Sequence, residues 1–445
     1  MDRQGQKASV QTSLQAIALK AEKQPGYRFQ NLFGMVNEAM LTDSWGEIRK
    51  GAAYGVDRVS AKDYEQNLEE NIHQLVEGLK RKRYRAKLVL RRYIPKGNGK
   101  FRPLGLVATQ DKLLQMAVKR ILQAIYEQDF LDCSYGYRPN IGALDAVAEL
   151  TRKLQFGEYN YLVEADIKGF FDNLNQELLL NMLAERIDDK ALLWLIKKWL
   201  DAGVLDRDGK VLHPETGVPQ GGIISPILAN VYLHNVLDVW FQRVVIPHCS
   251  GKAFLIRFAD DFVCAFEKLE DAQRFYAVLG KRLEKFGLEL SAEKTRIKAF
   301  SRNIQPGKTS FDFLGFEFRW GKDRKGKPHV GRRTSRKNLR NSLKRFKEWC
   351  QISRSLRLPE LFKLLNAKLR GHYNYYGVIG NFLSLEQFFY RARGLLFKYL
   401  NRRSQRRSYN WAGFMELIEQ FGIEKPHIVG RPKRYRKTSA EPIMA

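Results

Sequence analysis

Residues Phe254 to Phe266 read Phe-Leu-Ile-Arg-Phe-Ala-Asp-Asp-Phe-Val-Cys-Ala-Phe. Two β-favouring runs flank a short polar break, which predicts a hairpin with Asp260 and Asp261 at its turn. Adjacent carboxylates between apolar strands repel each other and lose hydration unless a cation sits against them, and a divalent metal is the usual solution. Asp is also an ordinary turn residue, so this stretch alone leaves open a hairpin tip that is merely solvated.

Length and charge narrow the choice. A chain of 445 residues has room for about three domains, or two large ones, each with its own core. The formal net charge of +29 exceeds any solubility margin and points to a polyanion as partner, nucleic acid before anionic membrane. The longest stretch without a formal charge, Thr216 to Leu237, is broken by Pro219, Pro226 and glycines and cannot span a bilayer. The N-terminus opens no apolar run, so no signal peptide and a cytoplasmic location are expected. Cys133, Cys249, Cys264 and Cys350 are scattered without a Cys-x-x-Cys pair, which excludes a disulfide framework and a zinc module. The histidines show no His-Glu-x-x-His spacing.

Taken in order, residues 1–29 are polar and Gln-rich and read as a flexible arm, frayed or loosely helical, followed by a helical extension over 30–79. Gly51 to Ser60 reads as a loop before a helix capped near Ser60. Lys80 to Arg102 holds eleven Lys or Arg and no acid, and its turn glycines predict a β-hairpin with cations near the tip. Lys96, Lys100 and Arg102 could reach a triphosphate from there, although a solvated basic face has the same composition. Asp111 to Tyr126 has the spacing of an amphipathic helix. Leu162 to Phe171 reads as a buried strand ending in a glycine turn, with Asp166 at its carboxyl end, where ligands gather. Gly221 and Gly222 lie in a glycine-rich loop that feeds a helix, a place for close backbone approach to an anion or a base-pair edge. Asp271 to Phe286 is helical, Leu288 to Phe300 carries Lys294 into a strand, and Phe311 to Phe318 is a tight β element. Beyond it, 321–337 reads as a basic linker, 338–424 as a separate helical domain and 425–445 as a basic tail.

Asp166 with Asp260 and Asp261, a basic hairpin before them and a glycine loop between, suits phosphoryl transfer by two metals. The ordered blocks Lys-x-x-x-Lys-Phe-Arg-Pro-Leu-Gly (96–105), Ser-Tyr-Gly-Tyr-Arg-Pro (134–139), Asp-Ile-Lys-Gly-Phe-Phe-Asp (166–172), Pro-Gln-Gly-Gly-Ile-Ile-Ser-Pro (219–226), Phe-Ala-Asp-Asp (258–261), Gly-Leu-x-Leu-x-x-x-Lys-Thr (287–295) and Phe-Leu-Gly-Phe (313–316) resemble the reverse transcriptases encoded by bacterial group II introns. The resemblance runs from about residue 30 to about 425.

It implies an α+β right-hand polymerase with fingers and palm over 80–320 and an all-α thumb. It also implies RNA-directed DNA synthesis with two Mg²⁺ ions, or Mn²⁺ in their place. Asp166 and Asp260 would be the principal metal ligands, with Asp261 and the Ile167 carbonyl completing the set. Lys96, Lys100 and Arg102 would grip the triphosphate, Gln220 would contact the incoming nucleotide, Phe171 would exclude a 2′-hydroxyl, and Lys294 would protonate the leaving pyrophosphate. The implied partners are an RNA template, a DNA primer, deoxynucleoside triphosphates and the intron's own RNA. Arg332, Arg333, Arg336, Lys337 and Arg340, within three turns of one helix, are the expected RNA contacts. The chain departs from the family pattern in having Phe258 where Tyr is commoner and Arg58 where Gly is frequent. It also shows no His-Asn-His endonuclease after the thumb, so cleavage of a second DNA strand by that route is not expected. A standalone enzyme of phage defence or repair, and an RNA-binding splicing cofactor without polymerase activity, are the rival expectations.

Overall fold

The computed structural model describes residues 3–97, 100–303, 309–403 and 408–429, and the chain forms two compact units. One comprises residues 1–142 and 163–297, the other residues 143–162 and 298–445.

The first unit begins with a regular helix, Arg3–Lys23, where the sequence suggested a flexible arm, frayed or loosely helical. Val10, Leu14, Ile17 and Ala21 are buried along one face, a narrow stripe that the surrounding polar residues hide from a simple periodicity reading. The turn after it is tied down by Arg186. That guanidinium donates to the carbonyls of Gln24 (3.1 Å), Tyr27 (2.9 Å), Ala21 (3.3 Å) and Pro25, and its Nε donates to Asp129 at 2.9 Å.

Helix Ala61–Gln66 starts as expected at Ser60. Ser60 and Asp63 form a capping box, each side chain accepting from the other's backbone N–H. In the loop before it, Gly55 faces the Ala108 backbone, with room for no side chain: an added Cβ would lie 2.5 Å from Ala108 N.

The basic stretch folds into the expected hairpin. β1 (Val89–Gly97) pairs antiparallel with β2 (Lys100–Leu106), from Leu90 opposite Leu106 to Gly97 opposite Lys100. The short strands β4 (Val204–Leu205) and β5 (Val211–Leu212) complete a four-stranded sheet ordered β2-β1-β4-β5. The chain then enters the amphipathic helix Thr109–Asp129, whose Leu113, Leu114, Val118, Ile121 and Ile125 are fully buried.

A second, five-stranded sheet runs in the order β6-β7-β3-β8, with β3 (Tyr161–Lys168), β6 (Ala253–Phe258), β7 (Asp261–Phe266) and β8 (Glu289–Leu290), and its fifth strand, Arg296–Ala299, pairs with β3. β3 ends at Gly169, whose φ of +56° lets the chain turn directly into the short helix Phe170–Asn173.

In the second unit the expected linker is instead structured. Strands Ser310–Phe313, Phe316–Lys322 and Pro328–Thr334 form an antiparallel sheet. The alternation of buried Phe316, Phe318 and Trp320 and the facing Val330 is a strand pattern; Arg319 and Arg333 lie on the opposite face, while Arg332, opposite Phe318 in register, shares the aromatic one. Helices Arg336–Ser353, Leu358–Tyr376, Phe382–Leu400 and Trp411–Phe421 pack around Phe346, Leu365, Tyr373, Phe388 and Phe414. Asn381, 1% exposed, joins sheet to helices: it accepts from Thr334 N at 2.7 Å and donates to Thr334 Oγ1 and Tyr376 O. Most of the basic tail, 430–445, lies outside the described residues. Among those described, no helix is long and apolar enough to cross a membrane.

Arg58 has φ +58°, the left-handed conformation that glycine adopts without strain, and its side chain is exposed. Releasing that strain yields about 1–2 kcal/mol, while the extra freedom of glycine in the unfolded chain costs about 0.4–1 kcal/mol. Arg58→Gly is therefore expected to stabilise the first unit by about 0.5–1 kcal/mol in a denaturant melt. An unchanged or lowered midpoint would refute the strain argument.

Candidate active site

The site is built on the strand ends of the first unit's second sheet. β6 and β7 form the predicted hairpin, with Phe258 opposite Asp261 and Ala259–Asp260 at the turn. β7 lies beside β3, so the Asp260–Asp261 pair and Asp166 come together as expected.

The turn is held by Arg257, the charged residue in the middle of an apolar strand. Its side chain is fully buried, and so is its partner Asp238. Nε and Nη2 donate to the two Asp238 oxygens at 2.7 and 2.5 Å. Nη1 donates to Asn230 Oδ1 and to the Ala259 carbonyl, each at 3.1 Å, and Nη2 donates to Ser134 Oγ at 2.7 Å. The guanidinium thus grips the peptide immediately before Asp260.

Ala259 itself has φ +57°, uncommon for a residue with a side chain. The block at 134–139 packs onto it. A Cβ on Gly136 would lie 2.2 Å from Ala259 N, and Asn230 Nδ2 holds the Gly136 carbonyl at 2.6 Å. Here glycine is required because two backbones touch.

Asp166 and Asp260 are partly exposed and Asp261 is exposed. Enclosure by the surrounding protein, then the charges of Asp260, Asp166 and Glu164, push the Asp261 carboxyl up to about 7, with Lys294 opposing. Since Asp261 remains reachable by solvent, mutual repulsion among the carboxylates is the cause that geometry supports best. Lys294 Nζ lies 2.6 Å from Asp166 Oδ2, so this lysine neutralises one carboxylate of the cluster. Ile167 is buried, and its backbone pairs with Leu290 on β8.

Among the described residues no group of three or more Asp, Glu, His or Cys side chains is placed to hold a metal ion by itself. All-oxygen donors, mutual repulsion and an open face fit a hard divalent cation that completes its shell with water and substrate phosphates.

Around the carboxylates stand the other expected residues. Phe171, 7% exposed, packs edge-on against Tyr137 with ring centres 6.4 Å apart. Burial and the charge of Asp260 push the Tyr137 hydroxyl up, with Arg102 opposing. Arg102 on β2 donates from Nε to Gln220 Oε1 at 2.9 Å. The side chains of Lys96 and Lys100 lie outside the described residues.

The glycine loop differs from expectation in what it approaches. A Cβ on Gly221, at φ +114°, would lie 2.4 Å from the Gly105 carbonyl, so its close contact is with β2 of the same chain. Ile223 N donates to Gln115 Oε1 at 3.0 Å, fixing the loop to helix Thr109–Asp129.

The expected RNA contacts, all in the second unit, divide. Arg332 and Arg333 lie on strand Pro328–Thr334, and the helix begins only at Arg336, capped by Ser335. Arg333 is paired with both Glu317 oxygens at 3.0 and 2.7 Å, and Arg332 donates to the Ile379 carbonyl at 3.2 Å. Arg336, Lys337 and Arg340 are exposed together with Lys344 and Lys347, which the sequence reading did not single out. Helical spacing of three and four places Arg336, Arg340, Lys344 and Lys347 on one stripe.

The sequence reading also passed over Arg257, Asp238, Tyr137 and Asp172. An arginine inside Phe-Leu-Ile-Arg-Phe was itself a signal, since a buried cation demands a partner.

The family model for reverse transcriptase (RNA-dependent DNA polymerase) matches residues 94–318, just over half of the chain, and the chain belongs to this family. The α+β right-hand polymerase class expected from the sequence is the class this family defines. The chain is similar to the group II intron-encoded protein LtrA of Lactococcus lactis subsp. cremoris, 30% identical over 406 residues that cover 72% of this chain and 66% of that protein. It is also similar to the protein YkfC of Escherichia coli (strain K12), 33% identical over 246 residues covering 53% of this chain and 63% of that one. It thus spans just under two thirds of these relatives. Among solved structures, telomerase from Candida albicans, in a complex with a fragment of telomeric RNA, matches with a TM-score of 0.44 at 16% identity, covering 81% of this chain and 68% of that one.

Arg257→Met leaves Asp238 buried without a counter-charge and is expected to cost about 3–5 kcal/mol in a denaturant melt. Removing both charges with Arg257→Met and Asp238→Leu should recover part of that loss, because no uncompensated charge remains. A single variant that lost less than about 1 kcal/mol, the range of exposed pairs, would mean that the pair does not organise the strand.

Proposed function

We propose that this chain is an RNA-directed DNA polymerase, encoded by a group II intron and acting in that intron's splicing and mobility. The observation that carries the reading is the meeting of Asp166 with Asp260 and Asp261 at adjacent strand ends, beside Arg102, Gln220 and Phe171.

In this reading Asp166 and Asp260 hold two Mg²⁺ ions, with Asp261 and the Ile167 carbonyl as further oxygen donors. Bound Mg²⁺ supplies positive charge that favours ionisation of the primer 3′-hydroxyl and stabilises the departing pyrophosphate. The protein's own share is positioning, since phosphoryl transfer asks for little covalent chemistry. Arg102 has N–H groups beyond the one given to Gln220 and orients the triphosphate as a fork. Phe171, backed by Phe170 and Tyr137, presents a rigid wall to the sugar and excludes a 2′-hydroxyl. Lys294, within reach of Asp166, is the candidate proton donor to pyrophosphate.

The partners follow from charge and from the relatives. The exposed stripe from Arg336 to Lys347 suits the phosphates of an RNA, and similarity to LtrA, a group II intron-encoded protein, supports an intron RNA as that partner. Template RNA, a DNA primer and deoxynucleoside triphosphates are the proposed substrates. The proposed location is cytoplasmic.

Purified protein should extend a DNA primer on an RNA template with Mg²⁺, and Asp166→Ala or Asp260→Ala should lower the rate at least about a hundredfold. Both variants should melt close to the parent, since Asp166 and Asp260 are partly exposed and the Lys294 pair lost with Asp166 is a solvent-reachable one. Near-parental extension by Asp260→Ala would refute the metal assignment.

RNA affinity should fall steeply with salt. Replacing Arg336, Arg340 and Lys344 by Ala should lower the log-log salt slope by about two to three units, at about 0.7–0.9 for each phosphate that is no longer neutralised. The same change at Arg333 should do less, because Glu317 already neutralises it. A slope unaffected by the triple change would place the RNA elsewhere.

A further inference from the structure

We propose that Asp172 is a positioning residue of the nucleotide site: its carboxylate orients the Gln220 amide, and through it Arg102. The inference rests on the polymerase reading above and extends it to a residue with no assigned role.

Gln220 stands between two charged groups of opposite sign. Its Oε1 accepts from Arg102 Nε at 2.9 Å, while its Nε2 lies 3.4 Å from each Asp172 oxygen. An amide has one accepting and one donating end, so only one orientation satisfies both neighbours. Turned over, it would set its NH2 against a guanidinium that only donates and its oxygen against a carboxylate that only accepts. With Asp172 in place that rotamer is penalised at both ends, and without it at one end alone.

The backbone makes this arrangement stiff. The Asp172 carbonyl accepts from Thr216 Oγ1 at 3.1 Å, and its N–H donates to Gly169 O at 2.9 Å. Val218 N donates to the Phe171 carbonyl at 2.7 Å, and Gly217 N to the Leu174 carbonyl at 2.7 Å. Gly217, at φ +89°, passes so near that a Cβ would lie 2.8 Å from the Asp172 carbonyl. At the other end of the loop, Gly105 N donates to the Gln220 carbonyl at 2.5 Å, fixing Gln220 against β2. The segment after Phe171, the glycine loop and the basic hairpin therefore meet at one glutamine. Arg102 is exposed and would otherwise sample many rotamers. Tethering Nε leaves the N–H groups of both terminal nitrogens to meet an anion.

The test is steady-state primer extension on an RNA template with varied deoxynucleoside triphosphate. Asp172→Ala should raise the nucleotide KM about tenfold and change kcat less than about threefold, since binding geometry is lost while the reacting groups remain. Asp172→Asn keeps an accepting oxygen but adds a donor that tolerates the turned amide, so its KM should fall between those of the parent and the Ala variant. In a Gln220→Ala background, Asp172→Ala should add less than about a twofold change, because the group it orients is gone. An unshifted KM in Asp172→Ala overturns the inference. So does an equal shift with and without Gln220, or an Asn variant more impaired than the Ala variant. A fall in kcat that tracks a lowered melting temperature also overturns it, as the mark of a structural role. If the parent protein itself extends no primer, the polymerase reading fails. Parental extension with any of the preceding outcomes removes only the role given to Asp172.

Discussion

The geometry of the site depends on one buried ion pair. Arg257 and Asp238 have lost their water entirely, and attraction between them offsets that cost only if the remaining donors also find partners. They do: Asn230, Ser134 and the Ala259 carbonyl take the other N–H groups. A salt bridge of this kind contributes little net stability, but it penalises alternative arrangements heavily, because any slip of the strand strands a charge in the core. The Arg257 contact to Ala259 then fixes a left-handed turn that leads directly into Asp260. Placing carboxylates that repel one another requires such a frame, since their own interactions would drive them apart.

Much of the first unit was legible because its signals are local. The glycine turn after Asp166, the hairpin around Asp260 and Asp261, the capping box at Ser60 and the basic hairpin are each encoded within about ten residues, where pattern and turn chemistry operate. What was not legible depends on residues far apart in the chain. Nothing local tells that Arg186 collects the carbonyls after the first helix, or that Gln115 holds Ile223 N. The basic stretch 321–337 misled for another reason. Lys and Arg interspersed along strands look like a solvated linker unless the alternation of buried Phe316, Phe318, Trp320 and Val330 is read with them.

The glycines sharpen this point. Gly221 was expected to let backbone approach a ligand, and backbone does approach it, but from β2 at Gly105. Gly136 has the same relation to Ala259, and Gly55 to Ala108. Sequence identifies where a side chain is forbidden; it does not say what forbids it. In this unit the excluded volume is mostly the chain's own, and these close approaches clamp the loops that carry Gln220 and the carboxylate turn.

Net charge poses the converse problem, since it is read at once but located only by structure. Several cations are committed to acids of their own unit: Lys87 to Asp57, Arg91 to Asp206, Arg120 to Asp43 and Arg333 to Glu317. Such pairs give the surface no net field, however dense the basic sequence around them. The stripe from Arg336 through Arg340 and Lys344 to Lys347 differs in its periodicity, which aligns like charges one turn apart on one exposed face. Like charges at that spacing destabilise an isolated helix by a few tenths of a kcal/mol per pair. The apolar face formed by Phe346 and Cys350 holds the helix in place against that repulsion. A helix that maintains such a charge array through its packing already has the form a phosphate backbone neutralises, so binding of the proposed RNA would relieve a cost carried by the folded protein alone.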